Sequence, residues 1–185
     1  MEILLMIDVQ NDFIDGALGT KEAQDMVWRL EDYLENSKCD RIIATMDTHN
    51  EDYLDTREGK FLPIPHCIEG TDGWRIPDSI MSKLNGDDII VTKDNFCSIE
   101  LTNVVVNVLN DLGEKFEGTI SPEDVAINVV GLCTDICVLS NVVPIFFNFN
   151  ENIKIRVLSE FCAGSTPEKH QYSLEILKGL GIEVV

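Results

Sequence analysis

Runs that are β-branched and nearly continuous in apolar character recur along the chain. They are EILLMID (2–8), RIIATMD (41–47), DIIVTKD (88–94), VAINVVGL (125–132) and IKIRVLSE (153–160), and GIEVV closes the chain. Strict alternation would mark strands with one wet face. Unbroken apolar character marks strands covered on both faces. Helical periodicity fills the intervals around 21–36, near 100–112, from about 134, and over 167–179. Strand–helix alternation predicts an α/β fold, a three-layer α/β/α sandwich with a mainly parallel sheet. Right-handed crossovers put helices on both of its faces.

In such sheets ligands bind at the carboxyl ends of the strands. Those ends carry Asp8, Asp47 with His49, Lys93, and the segment from Cys133 to Cys137. Segment 48–77 is long, aperiodic and rich in Gly and Pro. A long loop of this kind in a compact domain reads as an active-site loop. Segment 113–124, GEKFEGTISPED, reads as a surface excursion. No repeat, low-complexity tract or linker interrupts the chain. Its 185 residues suit a single domain, 1–185, large enough to bury a core without staples.

Charge and cysteine usage narrow the partners. A net charge of −19 disfavours nucleic acid and anionic membranes, both polyanions. No apolar stretch reaches the length of a membrane span. The opening MEILLMIDVQ is short, acid-flanked and without basic residues, so it reads as a buried strand and not an export signal. A cytoplasmic protein is expected. The six cysteines, at 39, 67, 97, 133, 137 and 162, are then expected as free thiols, most of them small buried hydrophobes.

The strand ends carry the candidate chemistry. In GLCTDICVLSN, Thr134 suits a helix N-cap, which puts Cys137 in the first turn. Free N–H groups there stabilise a thiolate and can bind an oxyanion. The same position suits an inert core cysteine, and position alone favours that reading. Cys133 and Cys137 lack a matching second pair for a structural zinc site. Asp8 ends a buried strand, so its carboxylate must be solvated, paired or functional. It could serve as a base or cap a turn. Lys93 mirrors it, as a third member of the same edge or as a surface lysine. Asp47 and His49 fall on one side if their strand persists, and His66 would return through the long loop. Two His and one Asp suit Zn, Fe or Mn, although each His could equally be an ordinary hydrogen-bonded residue.

Five segments, IDVQNDF (7–13), ATMDTH (44–49), PHCIEGT (65–71), TKDNF (92–96) and GLCTDICV (131–138), occur in an order that resembles one family. It is the isochorismatase-like cysteine hydrolases, and within them the nicotinamidase/pyrazinamidase branch. STPEKHQYSLEIL (165–177) resembles the family's closing helix. The resemblance implies Cys137 as nucleophile, Asp8 as general base and Lys93 as orienting cation. It implies an oxyanion hole from the backbone N–H groups of Cys133 and Cys137, beside a cis Leu132–Cys133 peptide. It implies Asp47, His49 and His66 as ligands of one divalent metal ion, Zn, with Mn or Fe as alternatives. Isochorismatases proper do not use that metal triad, which points to the nicotinamidase branch. Phe13 matches an aromatic that packs on the substrate ring.

The implied activity is hydrolysis of nicotinamide to nicotinate and ammonia through a thioester on Cys137, in NAD salvage. The implied partners are a small-molecule amide substrate and further copies of the chain in a homo-oligomer. Two departures keep open a related amidohydrolase acting on another small amide, such as a carbamoyl compound. Pro63 and Ile99 stand where relatives commonly carry aromatics. Phe61, Phe96 and Trp74 are the candidates to replace those rings. A catalytically silent binding protein on the same fold is the third reading. Pro144, inside the helix after Cys137, predicts a kink.

Overall fold

The computed structural model describes residues 1–36, 38–115, 121–149 and 153–185. β1 (Glu2–Ile7) leads through a short α1 (Asn11–Ile14) into α2 (Lys21–Asn36) and β2 (Arg41–Asp47). Short helices α3 (Arg57–Phe61) and α4 (Asp78–Met81) punctuate the way to β3 (Ile89–Lys93). Then come α5 (Leu101–Lys115), β4 (Ala126–Leu132), a π turn (Thr134–Val138) and α6 (Leu139–Asn148). β5 (Lys154–Ala163), α7 (Pro167–Gly179) and β6 (Glu183–Val184) complete the chain. Six strands form one sheet in the order β3-β2-β1-β4-β5-β6, every neighbouring pair parallel. This is the α/β sandwich that the apolar runs predict.

Period-two geometry explains why those runs are unbroken. Ile3, Leu5 and Ile7 face a core with Leu101, Val105 and Val108 of α5, Val142 and Ile145 of α6, and Leu174 and Leu177 of α7. Leu4 and Met6 face a second core with Ala23, Met26, Val27 and Leu30 of α2. Each strand therefore needs apolar side chains at odd and even positions alike. All seven residues of β2 and of β4 are buried.

Several expectations shift. β3 is an edge strand in which only Val91 and Lys93 are buried. β5 runs on to Ala163, beyond the apolar run, after a register shift opposite Val129 and Gly131. Segment 48–77 is not one irregular loop. It holds a 3-10 turn (Tyr53–Asp55), α3 and a parallel bridge between His49 and Ile68. α5 continues to Lys115, into the expected surface excursion, of which residues 116–120 lie outside the described residues. α6 continues through Pro144 to Asn148. None of the six cysteines forms a disulfide. Among the described residues no helix is long and apolar enough to cross a membrane.

The functional edge is where the two central strands end. Gly131 has φ +130, and a Cβ there would run into the carbonyl oxygen of Ile7 on β1. Only glycine combines that backbone with so close a strand approach. Gly131→Ala is expected to cost at least about 3 kcal/mol of stability in urea unfolding. Gly70→Ala provides the contrast: its φ is +81 but nothing lies within 4 Å of its Cβ. It should cost only about 1 kcal/mol.

Candidate active site

Three of the predicted residues meet at the carboxyl edge of the sheet. Lys93, the last residue of β3, places Nζ 2.7 Å from Asp8 Oδ2 and 3.7 Å from Cys137 Sγ. Asp8 follows β1 directly with φ +47. That turn aims its carboxylate along the edge, where Thr45 Oγ1 donates to Oδ1 at 2.6 Å. Cys137 arrives on the π turn after β4. All three side chains are buried.

Burial governs how these groups hold protons. It raises the Asp8 pKa above 3.8, with the Lys93 ammonium opposing the rise. It drives the Cys137 thiol well above 9.0, reinforced by the charge of Asp8. Burial alone would lower the Lys93 pKa, but Asp8, Cys137 and Asp47 outweigh it and hold the ammonium well above 10.5. The site is thus a fixed cation between a thiol that does not ionise unaided and a carboxylate able to take its proton.

The expected metal ligands also converge. Asp47 Oδ2 lies 3.0 Å from His49 Nε2 and 3.4 Å from His66 Nε2. A fourth group joins them from α3: Glu58 Oε1 is 3.4 Å from His49 Nε2 and 3.8 Å from His66 Nε2. One atom from each of the four lies within 4.8 Å of the other three. Glu58 Oε1 is buried and has no hydrogen-bond partner among the described residues. A buried acceptor left without a partner is costly, and a cation at the focus would supply one. Burial would lower the His49 pKa, but Asp47 and then Glu58 outweigh it and push it up to about 9. Two carboxylates and two imidazoles that attract positive charge fit a divalent metal ion.

The supports of this cluster come from the segment after β1. Gln10 Oε1 accepts the Asp47 N–H at 2.7 Å, while its Nε2 donates to Asp47 O at 2.8 Å and Trp74 O at 2.7 Å. Asp12 Oδ2 accepts the Cys67 N–H at 2.7 Å, fixing the residue beside His66. His66 Nδ1 sits 2.8 Å from Ile64 O. The carbonyl can only accept, so Nδ1 carries the proton and Nε2 is left for a ligand. Phe13 packs edge-on against the His66 ring, centroids 5.4 Å apart.

Glu58, Gln10, Asp12 and Asn141 are site residues that sequence reasoning missed. Asn141 accepts the Ser98 N–H at 2.8 Å and donates to Phe96 O at 2.8 Å and Cys137 O at 2.7 Å. It ties the loop after Lys93 to the turn that carries the thiol. Gln10 and Asp12 stand beside Asp8 in IDVQNDF, which was the available signal. Nothing local marks Glu58 or Asn141.

Thr134 requires a correction. The N-cap position belongs to Cys133, which has extended backbone and caps with no side-chain hydrogen bond. Thr134 is buried, and its hydroxyl pairs with His170 Nδ1 at 2.8 Å. A partner from α7 outcompetes the local cap. Cys137 remains within the first turn, which is of π type. The Leu132–Cys133 peptide is cis.

A cavity of about 410 Å³ joins the two clusters, reaching Asp47 and His66 on one side and Cys133 and Cys137 on the other. Phe13, Phe61 and Phe96 line it. Trp74 does not, its indole N–H donating to Thr48 Oγ1 at 2.9 Å. Neither Pro63 nor Ile99 borders it, and Ile99 lines a neighbouring cavity instead.

The isochorismatase domain family matches residues 2–185, and the chain belongs to that family. Within it the chain groups with the nicotinamidase branch. It is 28% identical over 211 residues to the nicotinamidase of Schizosaccharomyces pombe, covering 98% of this chain and 91% of that protein. To the nicotinamidase/pyrazinamidase of Mycobacterium tuberculosis it is 25% identical over 198 residues, covering 100% and 98%. The crystal structure of the Pyrococcus horikoshii pyrazinamidase in complex with zinc superposes with a TM-score of 0.74 at 22% identity, covering 100% of this chain and 98% of that one.

Removing the Gln10 clamp tests this architecture. Gln10→Ala leaves the Asp47 N–H and two carbonyls without partners, and should cost about 2–4 kcal/mol in urea unfolding. A loss below about 0.5 kcal/mol would show that the clamp is dispensable.

Proposed function

We propose that residues 1–185 act as one domain and form a metal-dependent nicotinamidase, converting nicotinamide to nicotinate and ammonia through a thioester on Cys137. Membership of the isochorismatase family, together with the likeness to nicotinamidases, indicates an amide-hydrolysing enzyme. The observation that carries the finer reading is the cavity itself. One space of about 410 Å³ reaches Cys137 of the thiol–carboxylate–ammonium set and Asp47 and His66 of the four-residue cation cluster, with Phe13, Phe61 and Phe96 along it. Phe61 and Phe96 line that space while Pro63 and Ile99 stand away from it. These rings support nicotinamide over a carbamoyl compound as the substrate.

In this mechanism Asp8 takes the Cys137 proton, and Lys93 holds the charge in place. Sγ attacks the amide carbon, a C–S bond forms, and the carbonyl electron pair moves onto oxygen. The backbone N–H groups of Cys133 and Cys137 donate to that oxyanion. It collapses with cleavage of the C–N bond, and Asp8 gives its proton to the departing ammonia. Asp8 then deprotonates a water, which attacks the thioester. The C–S bond breaks, nicotinate leaves, and the thiol recovers its proton.

Asp47, His49 and His66, joined by Glu58, would hold one divalent ion, zinc in the first place and Mn or Fe as alternatives. When bound, such an ion supplies Lewis acidity and a fixed positive charge to an electron-rich ring atom. The zinc complex of the Pyrococcus relative supports this choice.

Ammonia release from nicotinamide by metal-stripped protein should return on adding zinc, manganese or iron. Cys137→Ala should lower kcat by at least about 10⁴-fold while still binding zinc as the wild type does. Undiminished turnover in that variant, or loss of its zinc, would sink the assignment of two separate clusters.

The pH profile supplies a second check. Asp8 must be ionised to accept the thiol proton, and burial raises its pKa above 3.8. The acid limb of kcat/KM should therefore fall at a midpoint above pH 3.8, activity rising with pH through it. A limb at or below that value would remove Asp8 as the base.

A further inference from the structure

α3 contributes two residues to the site, and they do different things. Glu58 turns its carboxylate inward to the histidines, 3.4 and 3.8 Å from their Nε2 atoms. Phe61, three residues on, lines the cavity. Residues three apart share a face of a helix, so the ion cluster and the cavity wall are reached from one side of α3. Phe61 is nonetheless 83% exposed, standing at the rim of the cavity.

Little else anchors this helix. It has five residues, of which only Gly59 is buried. Helices this short do not persist on their own. Gly59 rests against the Tyr53 carbonyl, where a Cβ would collide. Thr56 caps the Gly59 N–H at 2.9 Å, and the Tyr53 hydroxyl donates to Leu62 O at 2.9 Å. Against these few contacts stands Glu58 Oε1, buried without a hydrogen-bond partner among the described residues. The two histidine rings stand near that oxygen, and a cation meeting it would draw the helix onto the site.

We propose that Phe61 is a specificity-determining wall of the cavity, and that Glu58 sets its position by clamping α3 onto a divalent ion held by Asp47, His49 and His66. The inference rests on reading that cluster as an ion site, and not on which amide is cleaved. An ion bound there organises the distant side of the pocket as well as its own ligands. Phe61, Leu62 and the ion site then respond as one unit, because a single helical turn joins them.

Hydrogen–deuterium exchange of the metal-stripped full chain, with zinc alone as the probe, tests the coupling without any substrate. Zinc should slow exchange over residues 57–62 of the wild type by about tenfold or more. Glu58→Gln keeps the size of the side chain and removes its charge. At saturating zinc it should still take up the ion on the other three ligands, without the slowing. Zinc bound with no slowing in the wild type, equal slowing in Glu58→Gln, or no zinc uptake by the wild type would each overturn the proposal. Phe61→Ala should keep the zinc-dependent slowing and raise KM for nicotinamide by about five- to twentyfold with kcat nearly unchanged. An unchanged KM would remove Phe61 as a wall. Absence of nicotinamide turnover in the wild type would defeat the nicotinamidase reading alone, leaving the exchange result to decide the coupling.

Discussion

The carboxylate of Asp47 faces two ways. Its Oδ1 lies 3.0 Å from Lys93 Nζ, and its Oδ2 meets the two histidines. Burial would disfavour its charge, but His49, His66 and Lys93 outweigh that and hold its pKa far below the ordinary value. An ionised carboxylate this deep survives only if every direction it faces is positive or donating. The rest of the edge can be understood as meeting that condition. Gln10 secures its backbone, Lys93 neutralises one oxygen, and His49 faces the other.

The two clusters are therefore not neighbours by accident of packing. They share a counter-charge, and Lys93 mediates between Asp47 and Asp8, 2.7 Å away. Asp8 in turn is raised by burial and by the charge of Asp47. A change on either side alters the electrostatics of the other through two contacts. That economy depends on the parallel sheet, which brings the ends of β1, β2, β3 and β4 to one edge.

Much of this was legible before any coordinates. Buried parallel strands have an apolar signature because both faces are covered, and α2, β2 and α7 fall where periodicity puts them. Strand-end polar residues stand out against such runs, so Asp8, Asp47 and Lys93 were visible as exceptions. Glu58 was not, because it lies in an aperiodic segment. It reaches the histidines only because Gly59 lets α3 settle on the Tyr53 carbonyl, a tertiary fit without a local pattern. Thr134 misled for the opposite reason. Its local pattern suits a cap, but His170, far along the chain, claims the hydroxyl. Phe61 could be named as a candidate wall, yet its separation from Trp74 in that role required the cavity to be seen.

The position of β3 has a consequence for how the molecule fails. The sheet's outermost strand on one side carries Lys93, whereas Asp8 and Cys137 follow the central pair β1 and β4. β3 has five residues, two of them buried, and pairs with one neighbour only. Peripheral strands open locally at a lower free energy than central ones. The cation on which both carboxylates depend thus rides on a margin of the sheet and not on its centre. Activity is therefore expected to be lost by fraying at that margin while most of the fold still stands.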